Sequence, residues 1–230
     1  MTDWTKVKKI NGTWGDFEKH NFIVVHKLLS TEEADRLHKY LLLKREAVKF
    51  MKENGRLNAW DSLLGTWSDE QIPGSFSCYS DFLMETYLQE LKPKFEKHMN
   101  MELYENYSYC RVYKNGDILH RHKDRYSCEM SSTIFLGGDS WNICLEPDEN
   151  QGHHDEVTGQ YVPSQSNGIH ITLEPGDALI YKGCIVEHWR EAFQGEVCSQ
   201  VFMHYTDASK EEALENKFDS RPLLGIPKHV

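Results

Sequence analysis

Between Leu103 and Tyr205 the chain breaks into short apolar or β-branched runs separated by turn residues, and this repetition limits its fold more than any other feature. Candidate strands lie at 104–113, 117–124, 130–136, 141–146, 168–173, 177–181, 185–190 and 196–205. The intervening turns carry Asn115-Gly116, Gly137-Gly138-Asp139, Pro175-Gly176-Asp177 and Gln194-Gly195, residues that tolerate or preset the backbone angles of reversals. Short strands at this spacing predict a β-sandwich or jelly roll.

The N-terminal part is different. Residues 1–20 read as an arm with one short strand, and Phe22–Val25 as a β-branched strand. Ser30 with Glu33 forms a capping-box pattern, and Ala34, Leu37, Leu41 and Val48 follow at helical spacing, so a helix is expected from there to about Lys52. A second helix is expected over 80–98, with Phe82, Leu83, Leu88, Leu91 and Phe95 inward and Pro93 kinking or dividing it. Segment 55–78 is either a packed irregular loop or a lid that contacts substrate. The polar insert 147–167 reads as a mobile loop, and 208–216 as a last helix before an extended tail. The expected class is α+β, mainly β: one domain, with strand and helices (22–100) packed on one sheet of a jelly-roll core (103–206), then helix and tail (207–230).

Composition excludes some functions. A net charge of −10 argues against general nucleic-acid binding, which needs a basic face. The longest apolar runs, Phe22–Val25 and Tyr40–Leu43, are too short to cross a bilayer, and the first residues lack the apolar segment of a signal peptide. No membrane association and a cytoplasmic location are therefore expected. The six cysteines are scattered without a CxxC pair and read as free thiols in a reducing compartment.

Chemistry concentrates in the hairpin region Tyr107–Asp124. His122 and Asp124 are two residues apart, so on a strand they share a face and can reach one metal ion. The third ligand is sought among the later histidines. His153 and His154 fall in the polar insert, His170 in a β-branched strand and His204 at the end of the last strand. His188 follows a Pro-Gly-Asp turn, a buried strand and a glycine break, late enough to close on the His-x-Asp pair. Two imidazoles and one carboxylate leave open coordination positions and suit non-haem Fe(II), which must also bind a co-substrate and dioxygen. Satisfied core or surface histidines are the competing explanation.

The sequence resembles the Fe(II)/2-oxoglutarate-dependent oxygenases, nearest to the prolyl-4-hydroxylase-like branch. The resemblance covers Phe22–Glu33 and resumes over about Tyr104–Tyr205, through Arg111-Val-Tyr-Lys-Asn-Gly-Asp117, His122-Lys-Asp124, Pro175-Gly-Asp-Ala-Leu179 and His188. It implies a double-stranded β-helix with His122, Asp124 and His188 on Fe(II). It further implies 2-oxoglutarate and dioxygen as co-substrates, ascorbate as a possible reductant, and succinate and CO2 as products. The implied substrate is a prolyl or other side chain of a protein or peptide, or a free amino acid. Alternatives are an oxygenase-fold metalloprotein with another co-substrate or a small-molecule substrate, and a cupin-like, non-catalytic metal-binding module. The oligomeric state stays open.

One departure matters. Where the family carries an Arg or Lys for the distal carboxylate of 2-oxoglutarate, this chain has Val197 and Cys198. A buried dicarboxylate needs a cation. Arg190, two residues after His188 on the same strand, is the expected substitute, with Arg111, Arg125 and Lys182 as others. By resemblance Tyr113 contacts the co-substrate, and Thr133 and Ser199 are further pocket hydroxyls.

Overall fold

The computed structural model describes residues 13–227. In chain order they form β1 (Thr13–Asp16), α1 (Phe17–His20), β2 (Phe22–Val25), α2 (Thr31–Glu53), β3 (Phe76–Tyr79), α3 (Phe82–Met99), β4 (Leu103–Lys114), β5 (Leu119–His122), β6 (Met130–Gly138), β7 (Ile143–Glu146), β8 (His153–His154), β9 (Tyr161–Val162), β10 (Ile169–Ile171), β11 (Ala178–Lys182), β12 (Glu187–Arg190) and β13 (Val197–Asp207). A seven-stranded antiparallel sheet, ordered β1-β2-β11-β6-β13-β4-β3, faces a four-stranded one, ordered β10-β7-β12-β5. This is a jelly roll, mainly β, with α2 and α3 packed on the large sheet, as expected from the strand pattern.

Alternation along each strand divides the core in two. Ile134, Ile180, Val201 and Met203 face outward and pack with Leu37, Leu41, Leu88 and Phe95 of the helices. Phe22, Tyr113, Phe135, Leu145, Leu179 and Tyr181 face inward and fill the space between the sheets. Helix α2 starts at the expected capping box, Ser30 and Glu33 each bonding the other's backbone N–H.

Several expectations need correction. Asp81 caps α3, so Phe82 becomes its first residue and points to solvent at 74% exposure; the inner stripe is Met84, Glu85, Leu88, Leu91, Phe95 and Met99. Pro93 does not divide α3. It sits on the exposed flank with Gln89, whose released carbonyl can bond water. No α-helix forms over 208–216; 3-10 turns lie at Glu211–Ala213 and Lys217–Ser220, and Phe218, Asp219 and Ser220 all have positive φ. Buried ionic contacts override the helical pattern there. Arg221 pairs with Glu85 at 2.9 Å, and Asp219 accepts from both Arg125 Nη1 and Nη2, at 2.6 and 2.8 Å. The insert 147–167 carries the β8–β9 hairpin.

The expected strand 117–124 ends early. β5 stops at His122, so Asp124 lies in the following loop rather than one pleat along the strand.

Candidate metal centre and its pocket

β5 and β12 are antiparallel neighbours in the small sheet, and His122 and His188 are Cα partners across them. Their rings lie 4.2 Å apart, and Asp124 Oδ1 is 3.5 Å from Nε2 of each. The loop delivers Asp124 by backbone contact: its N–H donates to Gly183 O at 2.9 Å, and Ser131 Oγ donates to Oδ2 at 2.9 Å. Gly183 is required there. A Cβ on it would collide with the Asp124 carboxylate, the Cys128 carbonyl and the Ser131 hydroxyl.

Each imidazole is oriented through its other nitrogen. His122 Nδ1 donates to His120 O at 2.8 Å, and His188 Nδ1 donates to Val186 O at 3.1 Å. Both Nε2 lone pairs then face the Asp124 carboxylate. Such a convergence repels itself unless a cation lies among the three groups. The donor set of two neutral imidazoles and a carboxylate, with the second ring nitrogen tied down, fits a divalent transition metal with open positions.

With no cation among the three groups, a proton shared between imidazole and carboxylate takes that role. Burial alone would raise the Asp124 carboxyl, but His188 and His122 outweigh it and hold Asp124 well below the usual carboxylate range. Burial lowers the His122 imidazole, yet the hydrogen bond and charge of Asp124 leave it raised overall. His204 goes the other way. Burial takes it down to about 4, so it is neutral near pH 7, with Nδ1 3.0 Å from Ser131 Oγ.

The triad opens onto a cavity of about 350 Å³ walled by Tyr107, Tyr109, Tyr113, Tyr181 and Phe202. Tyr113 is fully buried and accepts from Arg111 Nη1 at 3.3 Å. Arg190, 1% exposed, does not itself wall this cavity. Its Nη1 donates to Trp141 O at 2.5 Å and its Nη2 to Thr133 Oγ1 at 3.3 Å, while Nε has no hydrogen-bond partner. Trp141 joins the two, its ring 4.9 Å from that of Tyr113 and 5.1 Å from the Arg190 guanidinium. No carboxylate lies in ion-pair distance of Arg190 among the described residues. Arg111 and Arg125 line the cavity but are ion-paired, to Asp69 at 2.5 Å and to Asp219, and Lys182 lies over the Phe17 ring at 5.6 Å.

Ser199 is not in the pocket. Ser199 has the same phase on β13 as Val201 and Met203, and its hydroxyl meets His38 Nδ1 of α2 at 2.8 Å, on the helix side. Gln200 faces inward instead and accepts from Thr133 Oγ1 at 3.0 Å. His153, His154 and His170 are exposed and remote from the triad. Asp69 and Gln71 were not expected at the site. Gln71 accepts from Arg111 Nη1 at 3.2 Å and donates to His122 Nε2 at 3.1 Å, so segment 55–78 reaches the triad. Only its position among loop aromatics hinted at this.

No protein family and no curated protein matches this chain. Solved structures do. A prolyl-4-hydroxylase from Pseudomonas putida is 14% identical, with a TM-score of 0.54 over 84% of this chain and 96% of that one. The non-heme alpha ketoglutarate dependent carbocyclase SnoK of nogalamycin biosynthesis is 13% identical, with a TM-score of 0.56 over 92% of this chain and 90% of that one. The epimerase SnoN, in complex with Fe3+, alpha ketoglutarate and nogalamycin RO, is 12% identical, with a TM-score of 0.56 over 84% of this chain and 81% of that one. The chain has the double-stranded β-helix fold of the Fe(II)/2-oxoglutarate oxygenases.

Proposed function

We propose that this protein is an Fe(II)/2-oxoglutarate-dependent dioxygenase that hydroxylates an unactivated C–H bond. The observation that carries the reading is the convergence of His122 Nε2, His188 Nε2 and Asp124 Oδ1 beside a cavity. His122, Asp124 and His188 hold the metal. Arg190 takes the distal carboxylate of 2-oxoglutarate, and Thr133 and Tyr113 supply hydroxyls beside it. A guanidinium buried without an acid is costly, and a dicarboxylate ligand removes that cost. An iron held by His122, Asp124 and His188 would supply the oxidative decarboxylation of 2-oxoglutarate by dioxygen to succinate and CO2, coupled to C–H oxidation. Tyr107, Tyr109 and Phe202 wall off water from the remaining space, where the substrate binds.

For the substrate, a prolyl or other amino-acid side chain of a protein or peptide is our first reading, supported by the likeness to a prolyl-4-hydroxylase. A small molecule is the second, supported by equal likeness to a carbocyclase and an epimerase. We take the chain as one domain in which residues 22–100 support 103–206. No described helix is long and apolar enough to cross a membrane, and the six cysteines are free, which supports a reducing, cytosolic setting. The test is succinate release on incubation with Fe(II), ascorbate and 2-oxoglutarate. The absence of both succinate and a thermal shift with 2-oxoglutarate plus Mn(II) would sink the reading.

A further inference from the structure

Arg121, Glu187 and Trp189, next in sequence to the two histidines, lie on the outer face of the small sheet rather than in the cavity, and the insert between β7 and β10 engages them. Arg121 and Lys123 flank His122; Glu187 and Trp189 flank His188. Glu187 is wholly buried and accepts from Arg121 Nη1 at 3.0 Å, Tyr161 OH at 2.9 Å, Ser164 N at 2.9 Å and Ser164 Oγ at 2.5 Å. Arg121 stacks 3.4 Å over the Trp189 ring and donates from Nη2 to Ser166 O at 2.8 Å. Lys123 Nζ donates to Glu149 O at 2.9 Å.

Two glycines admit the insert to this face. Gly152 has φ +62°, and a Cβ there would collide with Tyr161 and the Glu187 carboxylate. Gly168 has φ +58°, and a Cβ there would collide with Trp189 and the Leu145 carbonyl. Both also sit in the left-handed region that side chains disfavour.

We infer that Glu187, Arg121 and the insert residues Tyr161 and Ser164 form a clamp that positions the metal-binding imidazoles from behind. The inference rests on the metal reading above. Glu187–Arg121 ties β12 to β5 one residue before each histidine, so it sets the register and tilt of the two strands that must bring His122 and His188 together. The carboxylate lies in the dry face of the sheet, where its hydrogen bonds are strong and directional. These are positioning residues, because none of them faces the cavity.

The test is Co(II) binding by the full-length protein, followed through the visible absorption of the bound ion. Glu187→Gln keeps shape but removes the charge that Arg121 needs. It should weaken Co(II) by about tenfold, the scale of loss seen when groups behind metal ligands are removed, and should move the absorption bands. Arg121→Ala should do the same, with Arg121→Lys intermediate. Ser30→Ala, which destabilises α2 away from the site, should leave the bands in place. Should Glu187→Gln fail to fold, Tyr161→Phe carries the test, with a smaller loss of affinity and a band shift expected. Unchanged affinity and bands in the folded variant would overturn the clamp. Wild-type protein that takes up no Co(II) would instead overturn the metal reading, which keeps the two failures apart.

Discussion

Arg190 and Thr133 meet inside the β-sandwich, guanidinium Nη2 to hydroxyl at 3.3 Å, with the arginine 1% exposed and no carboxylate beside it among the described residues. Its partners, the Trp141 carbonyl and the Thr133 hydroxyl, are neutral and leave the charge largely uncompensated.

Replacing Arg190 should therefore separate stability from binding. Arg190→Met should raise the melting temperature of the ligand-free protein, because it removes a buried charge that lacks an acid. It should weaken 2-oxoglutarate by about 10–100-fold, the loss of charge-assisted hydrogen bonds of roughly 1.5–3 kcal/mol, with Mn(II) affinity retained. Calorimetric titration reads both. Equal 2-oxoglutarate affinity in the variant would remove Arg190 from the pocket.

The triad is tested without turnover. Mn(II) at about a hundred times its Kd should add roughly 2.7 kcal/mol, or about 5–10 °C, to the wild-type melting point. His122→Ala, Asp124→Ala and His188→Ala should each abolish the shift. A shift that survives any one of them would exclude that residue as a ligand.

His204 sets an acid limit on the metal-free protein. Burial holds its folded value at about 4, against about 6.5 in the unfolded chain. Between those values the unfolded chain binds a proton that the folded chain refuses, so stability falls as pH drops through this window, by about 3 kcal/mol in all. Urea unfolding from pH 7 to pH 4 should show this slope, and His204→Gln should flatten it.

The tail contributes to stability through one ion pair. Arg221 and Glu85 are 2% and 3% exposed at 2.9 Å, and Arg221 also donates to Asn106 O. Glu85→Ala leaves the guanidinium buried alone and should cost about 3–5 kcal/mol in chemical denaturation. A loss below about 1 kcal/mol would show that water reaches Arg221 in the variant.

Much of this protein could be read from order along the chain. The strands from Leu103 to Asp207, the capping box at Ser30 and the turns at Asn115-Gly116 and Pro175-Gly176 are local signals, set by side-chain periodicity and backbone angles that neighbours barely change. His122 and His188 were legible for the same reason: each sits at a fixed phase of a short strand. Distance in space was decided only by tertiary structure. Asp124 reaches the imidazoles through a loop held by Gly183 and Ser131, rather than by strand alternation. Ser199 is the exception: plain alternation with Val201 and Met203 turns it to the helix side. Gln71 comes to the triad, and Asp69 to the cavity wall, from a loop whose sequence carries no period. Arg221 and Asp219 replaced a helical tail with an anchored one, since buried charges take their partners wherever the fold supplies them. Hydrophobic patterning acts over a few residues, whereas charge pairing and sheet register act between segments far apart in the chain, and only the folded structure brings those together.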